Sequence, residues 1–359
     1  SGKDIAVASI PTLPGIQSRR VTTPRLTIHA LFSGPEDGVP VLFVHGNASS
    51  STFWEETMLA LPEGFRAIAP DLRGYGDTDD VLVDATRGVM DWVEDLLALK
   101  AELGIDRYHA VGHSLGGSVL WGLLAADGGN VISATVVAPG SPYGFGGTRG
   151  ENGIPCFPDF AGSGGGSVNP DFASRMGAGD RSSEEANAPR NVMNTYYWKP
   201  PFRAEREEEL LSGLLSEKVG PQKYPGDYEA SANWPGVAPG AYGPANAIAP
   251  KYVGNTVERL LALPDKPPIL WVRGEDDQIV SDMSLFDFGT LGKLGAVPGW
   301  PGDDVFPPQP MVSQTRHVLE RYQAEGGEYE EVAFPDVGHT PYLERPEEFM
   351  AAFTAHLTR

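Results

Sequence analysis

The chain has 359 residues, of which 41% are hydrophobic and 21% charged, so it can bury a substantial core. Its formal net charge of −21 argues against nucleic acid and anionic membranes as partners, because both are polyanions. The single cysteine, Cys156, has no second thiol for an internal disulfide, and no group of Cys and His residues has zinc-type spacing. We therefore expect no metal, no cofactor and no nucleic acid partner.

No apolar run is long enough to cross a bilayer, and no basic stretch followed by an apolar core marks a secretion signal. We expect a cytoplasmic protein that acts on a small molecule. A leader removed before Ser1 is left open, and so is the oligomeric state.

The first 140 residues alternate between short β-type runs and helical patterns. Strands are predicted at 26–32, 39–46, 65–72, 107–112 and 130–140, and helices at 86–104 and 118–127. Near-continuous apolar strands that alternate with helices are typical of a parallel sheet covered on both faces. Residues 1–140 are therefore predicted to form the N-terminal part of an α/β core.

Residues 141–265 break this pattern, with GGG at 164–166 and a mixture of aromatics and prolines in YYWKPPF at 196–202. Such a composition is compatible with disorder, but the number of aromatic residues favours an inserted, loop-rich cap. The α/β pattern returns in residues 266–359, interrupted by a smaller insertion at about 281–312. Strands are predicted there at 267–277 and 329–339, and helices at 315–327 and 345–359.

Residues 112–117 read GHSLGG and lie between a predicted strand and a predicted helix. In the pattern G-x-S-x-G, a serine stands on a tight strand-to-helix turn, and the residues two positions away must be small to avoid collisions. Gly112 and Gly116 meet this requirement. We therefore predict Ser114 as a catalytic nucleophile rather than as part of an ordinary loop.

A serine hydroxyl is a weak nucleophile at neutral pH, so it needs a base, and the base needs an orienting carboxylate. These groups follow the serine in the order acid, then histidine. His317 and His356 lie in helical patterns, whereas His339 follows a strand and a turn and is the predicted base. Asp277, at the end of the preceding strand, is the predicted acid, with Asp276 as the alternative.

The oxyanion that develops during acyl transfer needs N–H donors that are already aimed at it. We predict two backbone donors, Leu115 at the start of a helix and Asn47 in the loop HGNASSSTFW. Whether the side chain of Asn47 also reaches the site is left open. Aromatic residues near these loops and in the cap are predicted to line a substrate pocket. They are Phe53, Trp54, Tyr143, Tyr196, Trp198 and Tyr342.

Five motifs together resemble the α/β-hydrolase superfamily, in its cap-bearing branch of esterases, lactonases, epoxide hydrolases, haloalkane dehalogenases and carbon–carbon bond hydrolases. They are HGNASSSTFW, PDLRGYGDTD, GHSLGG, RGEDDQIV and PDVGHTPYLERPEEF. The resemblance implies the α/β-hydrolase fold, an eight-stranded, mostly parallel sheet with a lid after the sixth strand. It also implies that Ser114, Asp277 and His339 form the triad, and that Asn47 and Leu115 form the oxyanion hole.

The same resemblance narrows the chemistry. Epoxide hydrolases and dehalogenases of this superfamily carry an aspartate where this chain has Ser114. Epoxides and alkyl halides are therefore disfavoured as substrates, because a serine needs an acyl group to receive.

The sequence favours a serine hydrolase of a carboxylic ester or lactone, with an acyl-enzyme on Ser114, His339 as general base and Asp277 orienting it. Hydrolysis of a carbon–carbon bond in a β-diketone, or of an amide, is the alternative on the same triad. In the amide case, the acids at 207–209 are candidates to hold a free amine. A non-catalytic receptor for a small ligand is the third hypothesis, and the complete triad argues against it.

Overall fold

The computed structural model describes residues 4–5 and 8–359. Strands and helices alternate along most of this chain, as the sequence predicts. The strands are β1 (Asp4–Ile5), β2 (Gln17–Thr22), β3 (Thr27–Ser33), β4 (Val39–Val44), β5 (Phe65–Pro70), β6 (Tyr108–His113), β7 (Val131–Val137), β8 (Thr148–Arg149), β9 (Ile154–Pro155), β10 (Tyr228–Ala230), β11 (Val237–Pro239), β12 (Ile269–Gly274) and β13 (Tyr329–Phe334).

The helices cover the stretches between these strands. They are α1 (Glu55–Leu59), α2 (Met90–Glu102), α3 (Leu115–Asp127), α4 (Pro170–Gly177), α5 (Pro189–Val192), α6 (Glu207–Leu215), α7 (Pro244–Ala247), α8 (Thr256–Leu261), α9 (Phe288–Lys293), α10 (Met311–Ala324), α11 (Pro341–Glu344) and α12 (Pro346–Leu357). Short 3₁₀ turns and one π-helical turn, Met193–Tyr197, supplement them. Within residues 4–5 and 8–359, no helix has the length and apolar character that crossing a membrane requires.

The main sheet has the strand order β1-β2-β3-β5-β4-β6-β7-β12-β13. The six strands from β5 to β13 in this order run parallel, and β1 to β3 form an antiparallel edge. Eight strands have six or seven residues, which confirms the predicted eight-stranded, mostly parallel sheet. The ninth is the two-residue β1, and β2 lies outside the predicted elements.

Successive strand residues point to opposite faces of the sheet, and both faces are buried. In β4, Leu42 and Val44 pack into one apolar cluster with helices α2 and α3, whereas Val41 and Phe43 pack into another with α1 and α12. Each such side chain contributes about 1.5–3 kcal/mol when fully buried. The runs of apolar residues in the sequence therefore reflect a sheet covered on both faces.

Residues 138–268, which we call the 138–268 segment, connect β7 to β12, the next strand of the main sheet in sequence. The segment contains α4–α8 and two small antiparallel strand pairs. Its apolar side chains are packed rather than solvated, since Trp198, Leu211 and Leu214 are at most 1% exposed.

Helix α3 approaches the sheet so closely that two positions exclude a side chain. A Cβ atom on Gly112 would lie 2.4 Å from the carbonyl oxygen of Gly116, and one on Gly116 would lie 2.3 Å from the carbonyl oxygen of Val44. Both obstacles are backbone atoms of packed elements, so a rotamer change cannot relieve the collision. The glycines of GHSLGG thus fix the distance between α3 and strands β4 and β6.

Gly116→Ala is therefore expected to lower the free energy of unfolding by about 1–3 kcal/mol, as overpacked core substitutions do. Urea denaturation measures this change. Gly129→Ala is the matched control, because Gly129 is exposed and a Cβ there meets no atom within 4 Å. The control is expected to stay within about 0.5 kcal/mol of the wild type. Equal effects of the two substitutions would contradict the packing argument.

Candidate active site

Ser114 occupies the turn between β6 and α3 in a backbone conformation that L residues rarely adopt, with φ 55° and ψ −115°. Such strain costs on the order of 1–3 kcal/mol and persists only where the surroundings enforce it. The Ser114 N–H donates to the carbonyl of Val137 at 2.9 Å, and the Ser114 carbonyl accepts from Gly117 at 2.8 Å. Its side chain lines a cavity of about 360 Å³. The fold therefore holds Ser114 in a strained conformation that presents it to the cavity.

His339 and Asp277 form a buried pair next to the same cavity. His339 Nδ1 lies 2.8 Å from Asp277 Oδ2, and both residues are 4% exposed. The other carboxylate oxygen, Oδ1, accepts from the N–H groups of Ile279 at 2.8 Å and Val280 at 3.1 Å. These bonds fix the carboxylate, so the Nδ1 side of the imidazole is held in one orientation.

The competing acids and histidines lie elsewhere. Asp276 is half-buried and binds the Lys199 ammonium group at 2.8 Å, so the geometry pairs His339 with Asp277 instead. His317, on helix α10, binds the side chain of Asn152, and His356, on α12, binds a backbone carbonyl of β7.

The loop that carries His339 is held by groups that the sequence analysis did not identify. The Glu344 carboxylate accepts from the N–H groups of Gly338 at 2.8 Å and Thr340 at 3.0 Å, on both sides of His339. His113 Nε2 lies 2.8 Å from the His339 carbonyl oxygen. The residues on either side of the histidine are therefore anchored independently of Asp277.

His113, which directly precedes Ser114, acts as a neutral bridge. Burial lowers its pKa well below the ordinary histidine value, which favours the neutral ring. Its Nε2–H then donates to the His339 carbonyl, and its Nδ1 accepts from the Tyr342 hydroxyl at 2.9 Å. The bridge connects the serine turn to the histidine loop through a satisfied hydrogen-bond network.

Ser114 and His339 line one cavity, together with the predicted oxyanion donors Asn47 and Leu115. Among the hydrogen bonds of the described residues, none joins the Ser114 hydroxyl to the His339 ring. Such bonds are often long in enzymes without substrate and shorten in the Michaelis complex.

The two predicted donor amides are available. In the part of the chain that the structure describes, neither the Asn47 N–H nor the Leu115 N–H donates to a protein acceptor. The Leu115 N–H also lies at the N-terminus of α3, where the helix dipole favours negative charge. The Asn47 side-chain carbonyl accepts from the Tyr75 hydroxyl at 2.8 Å, which ties that side chain into the surrounding structure.

Most of the cavity wall is apolar. The apolar side chains include Phe53, Phe145, Phe172, Val192, Ile248, Ile279, Val280, Leu285, Phe286 and Leu291. Tyr196, Tyr197 and Tyr224 also line it. Among the described lining residues there is no Asp, Glu, Lys or Arg.

Of the six predicted pocket aromatics, Phe53 and Tyr196 line this cavity, and four lie elsewhere. Trp54 stacks on Tyr342 with ring centroids 4.1 Å apart, beneath the site. Trp198 lines a separate cleft beside Lys199. Tyr143 is half-buried and its ring packs against Gly153.

The structure also brings together three possible metal ligands that the sequence spacing did not suggest, His29, Asp71 and Asp77. His29 Nδ1 lies 2.7 Å from Asp71 Oδ2, and its Nε2 lies 2.6 Å from Ser18 Oγ. Burial opposes ionisation of Asp71, but the hydrogen bond and charge of His29, the charge of His45 and the Asp77 N–H together outweigh it and lower the Asp71 pKa to about 2. These groups satisfy one another, so their geometry fits a structural ion pair better than a metal site.

Comparisons with known proteins agree with this architecture. A model of the alpha/beta hydrolase family matches residues 41–352. Epoxide hydrolase 2 of Siraitia grosvenorii is 37% identical over 107 residues, which are 30% of this chain and 33% of that protein. The chain thus aligns with about a third of the length of this curated relative.

Solved structures match over nearly the whole chain. An esterase from Rhodococcus sp. ECU1013 has a TM-score of 0.57 and 21% identity, covering 96% of this chain and 98% of that chain. The 2-hydroxy-6-oxo-6-phenylhexa-2,4-dienoate hydrolase of Rhodococcus sp. strain RHA1 has a TM-score of 0.56 and 18% identity, covering 96% and 99%. At these identities the likeness shows the fold. The family match over residues 41–352 establishes that the chain belongs to the alpha/beta hydrolase family.

Proposed function

We propose that the protein is a serine hydrolase of small, uncharged carboxylic esters or lactones, with Ser114, His339 and Asp277 as its triad. The observation that carries the proposal is the buried 2.8 Å pair of His339 and Asp277 beside the cavity that Ser114 lines. A serine on a strained turn and a histidine oriented by a buried carboxylate are the parts that acyl transfer needs.

In the proposed reaction, Ser114 Oγ attacks the substrate carbonyl while His339 Nε2 takes its proton. Asp277 accepts the Nδ1 hydrogen bond and stabilises the imidazolium that forms. The N–H groups of Asn47 and Leu115 donate to the developing oxyanion. His339 then protonates the leaving alcohol. Water activated by the same histidine hydrolyses the acyl-enzyme and frees Ser114.

The wall of the cavity supports an uncharged substrate. A charged group that entered it would lose water without gaining an ionic partner among the described lining residues, which costs several kcal/mol. The volume of about 360 Å³ lies near the lower end of the range for ligand pockets, which favours small molecules.

The 138–268 segment is proposed to act as the cap of this site. It contributes Phe145, Phe172, Tyr197 and Tyr224 to the wall of the cavity, which the Asn47 loop also lines. The smaller insertion at about 281–312 adds Phe286 and its neighbours. The two insertions thus supply much of the apolar surface that would select the substrate.

The alternative reactions have less support. The dienoate hydrolase that shares this fold has a carboxylate in its named substrate, and the described lining of this cavity offers no cation to bind one. For amides, the Glu207 carboxylate already pairs with Arg190 and Arg203 outside the cavity. A receptor without turnover would retain the triad and the cavity, so kinetics must separate it from an esterase.

Ser114→Ala is expected to lower the hydrolysis rate of p-nitrophenyl butyrate at least about 1000-fold, because it removes the nucleophile. A fluorophosphonate probe should label the wild type and not this variant. Ser174→Ala, at an exposed position of α4, serves as the control and should retain wild-type turnover. Equal rates for wild type and Ser114→Ala would refute the triad, and a wild type without turnover would favour the receptor.

The uncharged wall predicts discrimination against anions. Mono-p-nitrophenyl adipate has the shape of p-nitrophenyl hexanoate, with a carboxylate in place of the terminal methyl group. Its kcat/KM is expected to be at least about 100-fold lower, because its carboxylate finds no partner in the cavity. The spontaneous hydrolysis of each ester is subtracted as background. A kcat/KM equal to or above that of the hexanoate would contradict the proposed substrate class.

A further inference from the structure

The loop that carries the predicted donor Asn47 is held from both sides by the 138–268 segment. The next residue, Ala48, has φ 46°, an unusual conformation for a residue other than glycine. The Ala48 N–H donates to Glu217 Oε1 at 2.9 Å, and its carbonyl accepts from the Tyr197 hydroxyl at 2.6 Å. Both polar groups of Ala48 are therefore bonded to side chains that are distant in sequence.

Glu217 is an unusual residue for this role. It is 4% exposed, and in the described part of the chain its second oxygen, Oε2, has no hydrogen-bond partner. Burial raises its pKa well above the ordinary glutamate value, and the hydrogen bond from the Ala48 N–H offsets this only in part. A buried acid with one unsatisfied oxygen is costly. The triad chemistry does not use it.

Residues next to Glu217 also contact Asn47 or line the cavity. The Tyr75 hydroxyl donates to Asn47 Oδ1 at 2.8 Å, and Tyr224 lines the cavity with Asn47. The side chain and the following peptide of Asn47 are thus both restrained. Holding the side chain and the following peptide limits rotation of the Asn47 backbone, and this fixes the direction of the Asn47 N–H. Oxyanion stabilisation requires donors that are aimed before the reaction begins.

We propose that Glu217, together with Tyr197, is a positioning residue that holds the Asn47 loop in the conformation required for oxyanion stabilisation. The proposal rests on the function proposed above and deepens it. The 138–268 segment then completes the catalytic machinery as well as lining the cavity, because the loop keeps its conformation only while Glu217 and Tyr197 are in place.

Glu217→Leu tests this role by removing the acceptor while nearly preserving the side-chain volume. We expect kcat for p-nitrophenyl butyrate to fall about 10- to 100-fold and KM to change less than about threefold, because the lost interaction acts in the transition state. Active-site titration with a fluorophosphonate gives kcat per competent site, so loss of folded protein does not enter it. Glu184→Leu, at an exposed position of the same segment outside the cavity lining, is the control and should change kcat less than about twofold.

Two further variants separate positioning from folding. Glu217→Gln retains a carbonyl acceptor for the Ala48 N–H and is expected to recover most of the kcat that Glu217→Leu loses. Tyr197→Phe removes only the hydroxyl that binds the Ala48 carbonyl, and we expect it to lower kcat about 3- to 30-fold. If Glu217→Leu does not fold, Tyr197→Phe alone tests the positioning role.

The outcomes distinguish this proposal from the proposed function. If the wild type hydrolyses the ester and Tyr197→Phe and Glu217→Leu match its kcat, the positioning role is wrong and the esterase stands. An equal loss in Glu217→Gln and Glu217→Leu would also overturn it, since the acceptor would then not matter. If the wild type lacks turnover that depends on Ser114, both proposals fail.

Discussion

The close approach of helix α3 to strands β4 and β6 is the constraint on which the candidate site depends. A Cβ atom at position 112 or 116 would collide with the backbone. Because Gly112 and Gly116 have none, the chain can turn sharply at Ser114 and the helix can start directly after it. The same turn leaves the Leu115 N–H without an acceptor in the described chain, beside the Asn47 loop. The nucleophile and the Leu115 donor are thus set by backbone packing, whereas the Asn47 loop is held by side chains of the 138–268 segment.

The sequence was informative wherever chemistry depends on local backbone or on chain order. The small residues around Ser114 predicted the turn, because a tight strand-to-helix connection tolerates few residue types. Strand ends predicted Asp277 and His339, because the carboxyl ends of parallel strands share one edge of the sheet. The structure brings these two residues together and leaves Asp276 to Lys199.

The cavity wall and the supports of the loops could not be predicted in this way, because they depend on how distant segments pack. Trp54 and Tyr342 carry the composition of pocket residues but stack on each other beneath the site. Glu217 belongs to a segment without a motif, and only its contact with Ala48 reveals its role. The described cavity lining contains no Asp, Glu, Lys or Arg, so the net charge of −21 reflects the surface of the protein rather than its substrate.

The most direct test of the account is a crystal structure of the protein after reaction with a small alkyl fluorophosphonate, whose tetrahedral adduct mimics the acylation intermediate. The account requires phosphorus on Ser114 Oγ, one phosphonyl oxygen within about 3.2 Å of the backbone nitrogens of both Asn47 and Leu115, and His339 still bound to Asp277. An adduct on another residue, or a phosphonyl oxygen directed away from both amides, would contradict it.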